Sequence, residues 1–197
     1  MRGWVRVVAL CGVLVLAGAA VVWPQEPQVW DRYLDRPRGP YQGQVIDAET
    51  KAPLAGAVVV VHWLRDRVYP FHSVTENYAV RETITDAEGR FFLDTKDVEE
   101  GAPRRTRRPG FLIFLPGYGS YPHRHVSPTG FTGGLFERPG AVVELPRLMD
   151  REERRKHLFR FDPHSHSDTP RKDLPEFVRK YDAERVAIGL EPLSPRE

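Results

Sequence analysis

The sequence predicts a mainly β protein, a seven-stranded antiparallel β-sandwich with a C-terminal two-helix tail. Three observations lead there. Short apolar or alternating runs recur between clusters of turn formers, as the strands of a two-sheet fold do. Eighteen prolines and sixteen glycines in 197 residues punctuate the chain too often for long helices. Asp150-Arg151-Glu152-Glu153 and Asp173-Leu174-Pro175-Glu176 then read as capping boxes, each opening a helix near the end of the chain.

Residues 1–23 read as a leader. Arg2 and Arg6 precede an uncharged run from Val7 to Trp23, the layout of an export signal. Ala17-Gly18-Ala19 supplies small residues for cleavage after Ala19. The same run, residues 7–23, is close to the length that crosses a bilayer, so an uncleaved anchor with its N-terminus in the cytoplasm is the alternative. Either way the body is expected to be exported, to a periplasmic or other extracytoplasmic location. Residues 24–40 form a proline-rich spacer, in which Pro24, Pro27, Pro37 and Pro40 favour extended backbone.

The sandwich is expected over residues 41–148. Tyr41–Asp47 is its first strand, followed by turn formers from Ala48 to Pro53. Leu54–Leu64 contains Ala57-Val58-Val59-Val60-Val61, a β-branched run that suits a strand covered on both faces. Arg65–Ser73 reads as a polar loop. Ala79–Thr85 alternates cleanly, Asp86-Ala87-Glu88-Gly89 reads as a hairpin turn, and Arg90–Asp94 as the returning partner strand. Lys96–Arg108 is a long charged loop, and Gly110–Leu115, Phe131–Glu137 and Ala141–Leu145 complete the sheets.

The tail occupies residues 149–197. Its first helix carries His157, Leu158 and Phe161 on one stripe and stops before Pro163. Its second presents Leu174, Phe177, Val178, Tyr181 and Ile188 on one face, with Gly189 and Pro192 ending it. That face is expected to pack on the sandwich.

Gly43-Gln44-Val45-Ile46-Asp47, Pro53-Leu54-Ala55-Gly56-Ala57-Val58-Val59 and Thr85-Asp86-Ala87-Glu88-Gly89-Arg90-Phe91 together resemble the carboxypeptidase regulatory-like domain. The resemblance implies a transthyretin-like (prealbumin-like) β-sandwich over about Tyr41 to Leu145. These are turn and core motifs without catalytic residues, and sandwiches of this class serve different functions.

Composition and motifs narrow the chemistry. A net charge of +2 gives no general case for nucleic acid. Cys11, the lone cysteine, lies in the leader, which excludes an intramolecular disulfide and a thiolate metal cluster. No histidine sits in the His-x-x-Glu spacing of zinc carboxypeptidases, and the chain ends Leu-Ser-Pro-Arg-Glu rather than in the Tyr-Arg-Gly-Ser of hydroxyisourate hydrolases. The strand motifs are also similar to those of intradiol dioxygenases. That resemblance implies ferric iron held by Tyr118, Tyr121, His123 and His125, although Arg90-Phe91-Phe92 lacks the expected aromatic hydroxyl. His164, His166 and Asp168 form a second possible metal set. Arg104, Arg105, Arg107 and Arg108 make the one concentrated basic patch, suited to phosphate head groups or an acidic partner. Trp30 and Trp63 suggest a carbohydrate-binding alternative.

The expectation is a non-catalytic module without a cofactor, binding or supporting an envelope protein or glycan. It would meet the membrane through its leader if that is uncleaved. An iron-dependent oxygenase is the rival reading.

Overall fold

The computed structural model describes residues 38–123, 136, 140–160 and 171–193. Among them, the strands are β1 (Tyr41–Asp47), β2 (Val58–Val68), β3 (Ser73–Ile84), β4 (Arg90–Leu93), β5 (Gly110–Phe114), β6 (Ser120–Tyr121) and β7 (Val142–Leu145). The helices are α1 (Lys96–Glu100), α2 (Arg151–Arg160) and α3 (Pro175–Ala187), with a 3-10 turn at Arg171–Asp173. The strands form two sheets, ordered β4-β1-β7 and β3-β2-β5-β6. The chain is mainly β, as expected.

The valine run decides how the layers stack. Side chains alternate across a strand, so β2 feeds two cores at once. Val59, Val61 and Trp63 face the other sheet, meeting Tyr41, Val45, Phe91, Val143 and Leu145. Val58 and Val60 face outward and are covered by Leu158, Leu174, Phe177, Tyr181 and Ile188 of the tail. The doubly covered strand and the docked helical face therefore follow the sequence reading.

The three motif stretches form one clasp. The Thr85 hydroxyl donates to the Leu54 carbonyl at 2.6 Å and accepts the Ala57 N–H at 2.8 Å. The Val45 N–H donates to the Gly89 carbonyl at 2.8 Å, and the Leu54 N–H donates to the Val45 carbonyl at 2.9 Å. Gly89 has φ of +70°, and a Cβ there would sit 2.4 Å from the Val45 carbonyl oxygen. Gly43 lies opposite Phe91, whose ring fills the space a side chain would take.

Several expectations are corrected. Asp86–Gly89 is not a hairpin turn, because β4 pairs with β1 and not with β3, so this turn crosses between sheets. The sheets are not wholly antiparallel, since β1 and β7 run parallel. The Arg65–Ser73 loop is instead mostly strand. β2 continues to Val68 and β3 begins at Ser73, and the polar residues pair across the hairpin, with Glu76 taking both Arg65 and Arg67.

Within the Lys96–Arg108 stretch α1 forms, burying Val98 and Glu99. The short β6 is a strand the sequence reading did not anticipate. Phe131–Glu137 lies outside the described residues except for Phe136, which is buried against Phe91, Phe111 and Tyr121.

Asp150 caps α2 as its motif predicts, accepting the Glu153 N–H at 2.9 Å. Asp173 does not cap α3. It lies in the 3-10 turn, and Glu82 of β3 takes its place by accepting the Glu176 and Phe177 N–H groups at 2.8 and 3.0 Å. A strand carboxylate reaches this helix end because the apolar face of α3 lies on β2 and β5, beside β3. Arg154 and Glu184 then tie α2 to α3, with side-chain distances of 2.8 and 2.6 Å, and the same carboxylate accepts the Gly117 N–H at 2.8 Å.

Candidate interaction surface

The β2–β3 hairpin outgrows the core. Trp63 is wholly buried, a bulge falls between Trp63 and Leu64, and beyond it the strands continue as a two-stranded ribbon. At about 3.3 Å per residue this ribbon extends roughly 15 to 20 Å past the last core residue. The Tyr69 N–H donates to the His72 carbonyl at 2.8 Å, leaving Pro70 and Phe71 as the two-residue tip. The Tyr69 and His72 rings stack at 4.8 Å. Phe71 is 99% exposed, and Val68, Tyr69 and Val74 are exposed beside it.

The basic loop lies along this ribbon. Thr106 bridges to Arg65, the Asp66 N–H donates to the Arg105 carbonyl at 3.1 Å, and the Arg107 N–H donates to the Leu64 carbonyl at 2.6 Å. The four predicted arginines do not act alike. Arg107 is committed to Asp66 at 2.8 Å and to the Thr75 hydroxyl at 3.0 Å. Arg108 is half-buried, whereas Arg104 and Arg105 are exposed. Ribbon and loop together carry six arginines against Asp66 and Glu76.

The chain enters the fold at this same end. Tyr41, the first residue of β1, packs its ring 4.9 Å from Phe111 and 6.5 Å from Trp63, where the ribbon departs. Buried Glu99 of α1 holds the entry, accepting the backbone N–H groups of Arg38 and Gly39 and the Tyr41 hydroxyl.

Of the metal candidates, Tyr118, Tyr121 and His123 lie among the described residues. Tyr118 hydrogen-bonds the Asp47 carboxylate; burial and that negative charge push its phenol up. Tyr121 is buried against Phe136, and burial pushes it up as well. His123 is exposed. His125, His164, His166 and Asp168 lie outside the described residues. Among the described residues no group of three histidine, cysteine or carboxylate side chains is gathered for a metal.

Trp63 cannot serve as a carbohydrate platform because it is buried, and Trp30 lies outside the described residues. The sequence reading passes over the aromatic tip because Arg65-Asp66-Arg67 has the composition of a loop. The signal was present in the apolar Val68-Tyr69-Pro70-Phe71 that follows those charges.

No family model and no curated protein matches the chain. Among solved structures, a 9R-lipoxygenase from Cyanothece PCC8801 is similar over 41% of this chain and 11% of its own, at 19% identity and a TM-score of 0.24. That likeness is too slight to carry an argument. Among the described residues, no helix is long and apolar enough to cross a membrane.

Proposed function

We propose that this chain is an exported, non-catalytic β-sandwich of the carboxypeptidase regulatory-like, transthyretin-like kind, working next to a membrane as a binding or support module. One observation carries the reading: the entry of the chain, the projecting ribbon and the Arg104–Arg108 loop share one end of the fold. A leader at residues 7–23, cleaved or retained, directs the body to the envelope, and a retained leader turns this end toward the bilayer. The clasp of the three motif stretches supports the regulatory-like assignment, since motif residues that lock turns have no reacting group to present. Among the described residues, the helical tail covers the outer face of the larger sheet at Val58, Val60 and Phe114.

Two measurements test this. Intact mass of the protein recovered from its own cell envelope is expected to match either the full chain or a product cut after Ala19, and recovery from the cytoplasm alone would refute export. Metal analysis after aerobic purification is expected to find a colourless, iron-free protein. Stoichiometric iron lost on His123→Ala and His125→Ala would establish the oxygenase reading instead.

A further inference from the structure

We infer that the β2–β3 ribbon is a lipid-surface anchor, in which the Phe71 tip enters the bilayer interface while Arg104 and Arg105 meet anionic phosphate head groups. This rests on the proposal that the module works beside a membrane. The argument begins with shape. A two-residue turn holding an almost fully exposed phenylalanine is convex and small, with Tyr69, Val68 and Val74 as its apolar flanks. A stable protein interface needs about 800 Å² from each partner and a well-packed centre, which a narrow tip does not provide. A bilayer interface accepts such a wedge, burying apolar side chains at a depth of about 5 to 10 Å.

Charge placement agrees with that depth. The backbone pairing sets Arg105 level with Asp66, two residues short of Val68, so the arginines stand roughly 10 Å behind the tip. That is head-group height when the tip is at the acyl boundary. Asp66, Glu76, Asp97 and Glu100 would oppose an anionic surface, but each of these four has a cation beside it. Asp66 holds Arg107, Glu76 holds Arg65 and Arg67, Asp97 holds Arg81 at 3.0 Å, and Glu100 lies 3.6 Å from Lys96. Arg104 and Arg105 are left exposed, with no ion pair among the described residues. The chain's entry at the same end lets a tether and the ribbon approach one bilayer together.

The test uses the full chain with Cys11→Ser and Ser73→Cys, carrying a nitroxide at position 73, in vesicles of phosphatidylcholine with or without phosphatidylglycerol. Flotation reports membrane association, and collisions with oxygen and with a water-soluble nickel complex report depth. The expected result is flotation with the label shielded from nickel, more so when phosphatidylglycerol is present. Phe71→Ser should reduce the shielded-to-exposed ratio roughly tenfold. Arg104→Gln and Arg105→Gln should each reduce it about fivefold, in phosphatidylglycerol vesicles only.

All three positions are exposed, so an unchanged melting temperature is expected to accompany these losses. A floating protein whose label stays open to nickel overturns the anchor and leaves the membrane-proximal reading standing. Failure to float overturns both. Shielding that appears without lipid and rises with protein concentration overturns the anchor in favour of a second copy of the chain.

Discussion

Glu82 of β3 and Phe177 of α3 are 95 residues apart in sequence, yet the Glu82 carboxylate accepts the Phe177 backbone N–H at 3.0 Å and that of Glu176 at 2.8 Å. The first turn of a helix leaves N–H groups without intrahelical partners, and its positive end favours an anion. Here a side chain of the sheet satisfies that need, so capping and docking are one event.

Replacing Glu82 with alanine should therefore loosen the tail without unfolding the sheets. Loss of a cap costs about 1 kcal/mol, or roughly 3 °C in melting temperature for a chain of this size. Amide exchange over the first turn of α3 should rise, while exchange in β1 and β2 stays slow. Asp173→Ala, at the position the sequence motif points to, should have little effect on the same readouts.

Gly89 makes a sharper prediction. Alanine there would need φ of +70° and would bring a Cβ to 2.4 Å from the Val45 carbonyl oxygen, a backbone atom held by the clasp. Left-handed backbone alone costs a non-glycine residue about 1 to 2 kcal/mol, and the clash adds to it. Gly89→Ala is expected to cost about 3 kcal/mol or more in denaturant unfolding. Gly140→Ala is the control: φ is +87°, but no described residue lies within 4 Å of the added carbon. Its cost should stay near the conformational 1 to 2 kcal/mol.

The contrast between these sites marks what could be read from residues alone. β1 is legible as Tyr41–Asp47, and the valine run of β2 as a two-faced strand, because periodicity and β-branching are local properties. Strand pairing is not local. Asp86–Gly89 has hairpin residues, yet Thr85 and Gly89 bond to Leu54 and Val45 and so send the chain to the opposite sheet. The Glu82 cap was hidden for the same reason, since a capping box can only point to a neighbour in sequence. At the candidate surface the arginines were legible as a cluster. Which two stay exposed depends on Asp66 reaching Arg107 across 41 residues, and the projecting tip depends on a ribbon whose charges mimic loop composition.

The pair joining the two tail helices behaves as a buried unit. Glu184 has 4% of its side chain exposed and Arg154 has 23%, and the carboxylate holds the guanidinium in its charged form. Arg154→Ala would leave a buried carboxylate with, among the described residues, the Gly117 N–H alone, a loss of about 3 kcal/mol. Adding Glu184→Gln should recover part of it, because a neutral amide costs less to bury. A double-mutant cycle read by chemical denaturation would then give a clearly non-additive result. Additivity would mean that the pair is not coupled in solution.

Acid should attack the first motif through Asp47. The Thr50 N–H, then the Glu49 N–H and the Tyr118 hydroxyl, bond its carboxylate and hold its pKa below the ordinary 3.8, although burial works the other way. The sign follows from linkage. A carboxyl whose folded pKa is depressed stabilises the fold above its unfolded value, and that contribution drains away as pH falls from there through the folded value. Unfolding free energy should therefore decline below about pH 4. In Asp47→Asn the decline should be shallower, because the amide no longer takes up a proton there. Glu76 and Asp97 are also held low by arginines, but these exposed pairs are screened by salt. Urea titrations at several pH values in 0.5 M sodium chloride should thus isolate the Asp47 contribution. A wild-type and Asp47→Asn pair with identical acid slopes would show that this turn does not hold the carboxylate in solution.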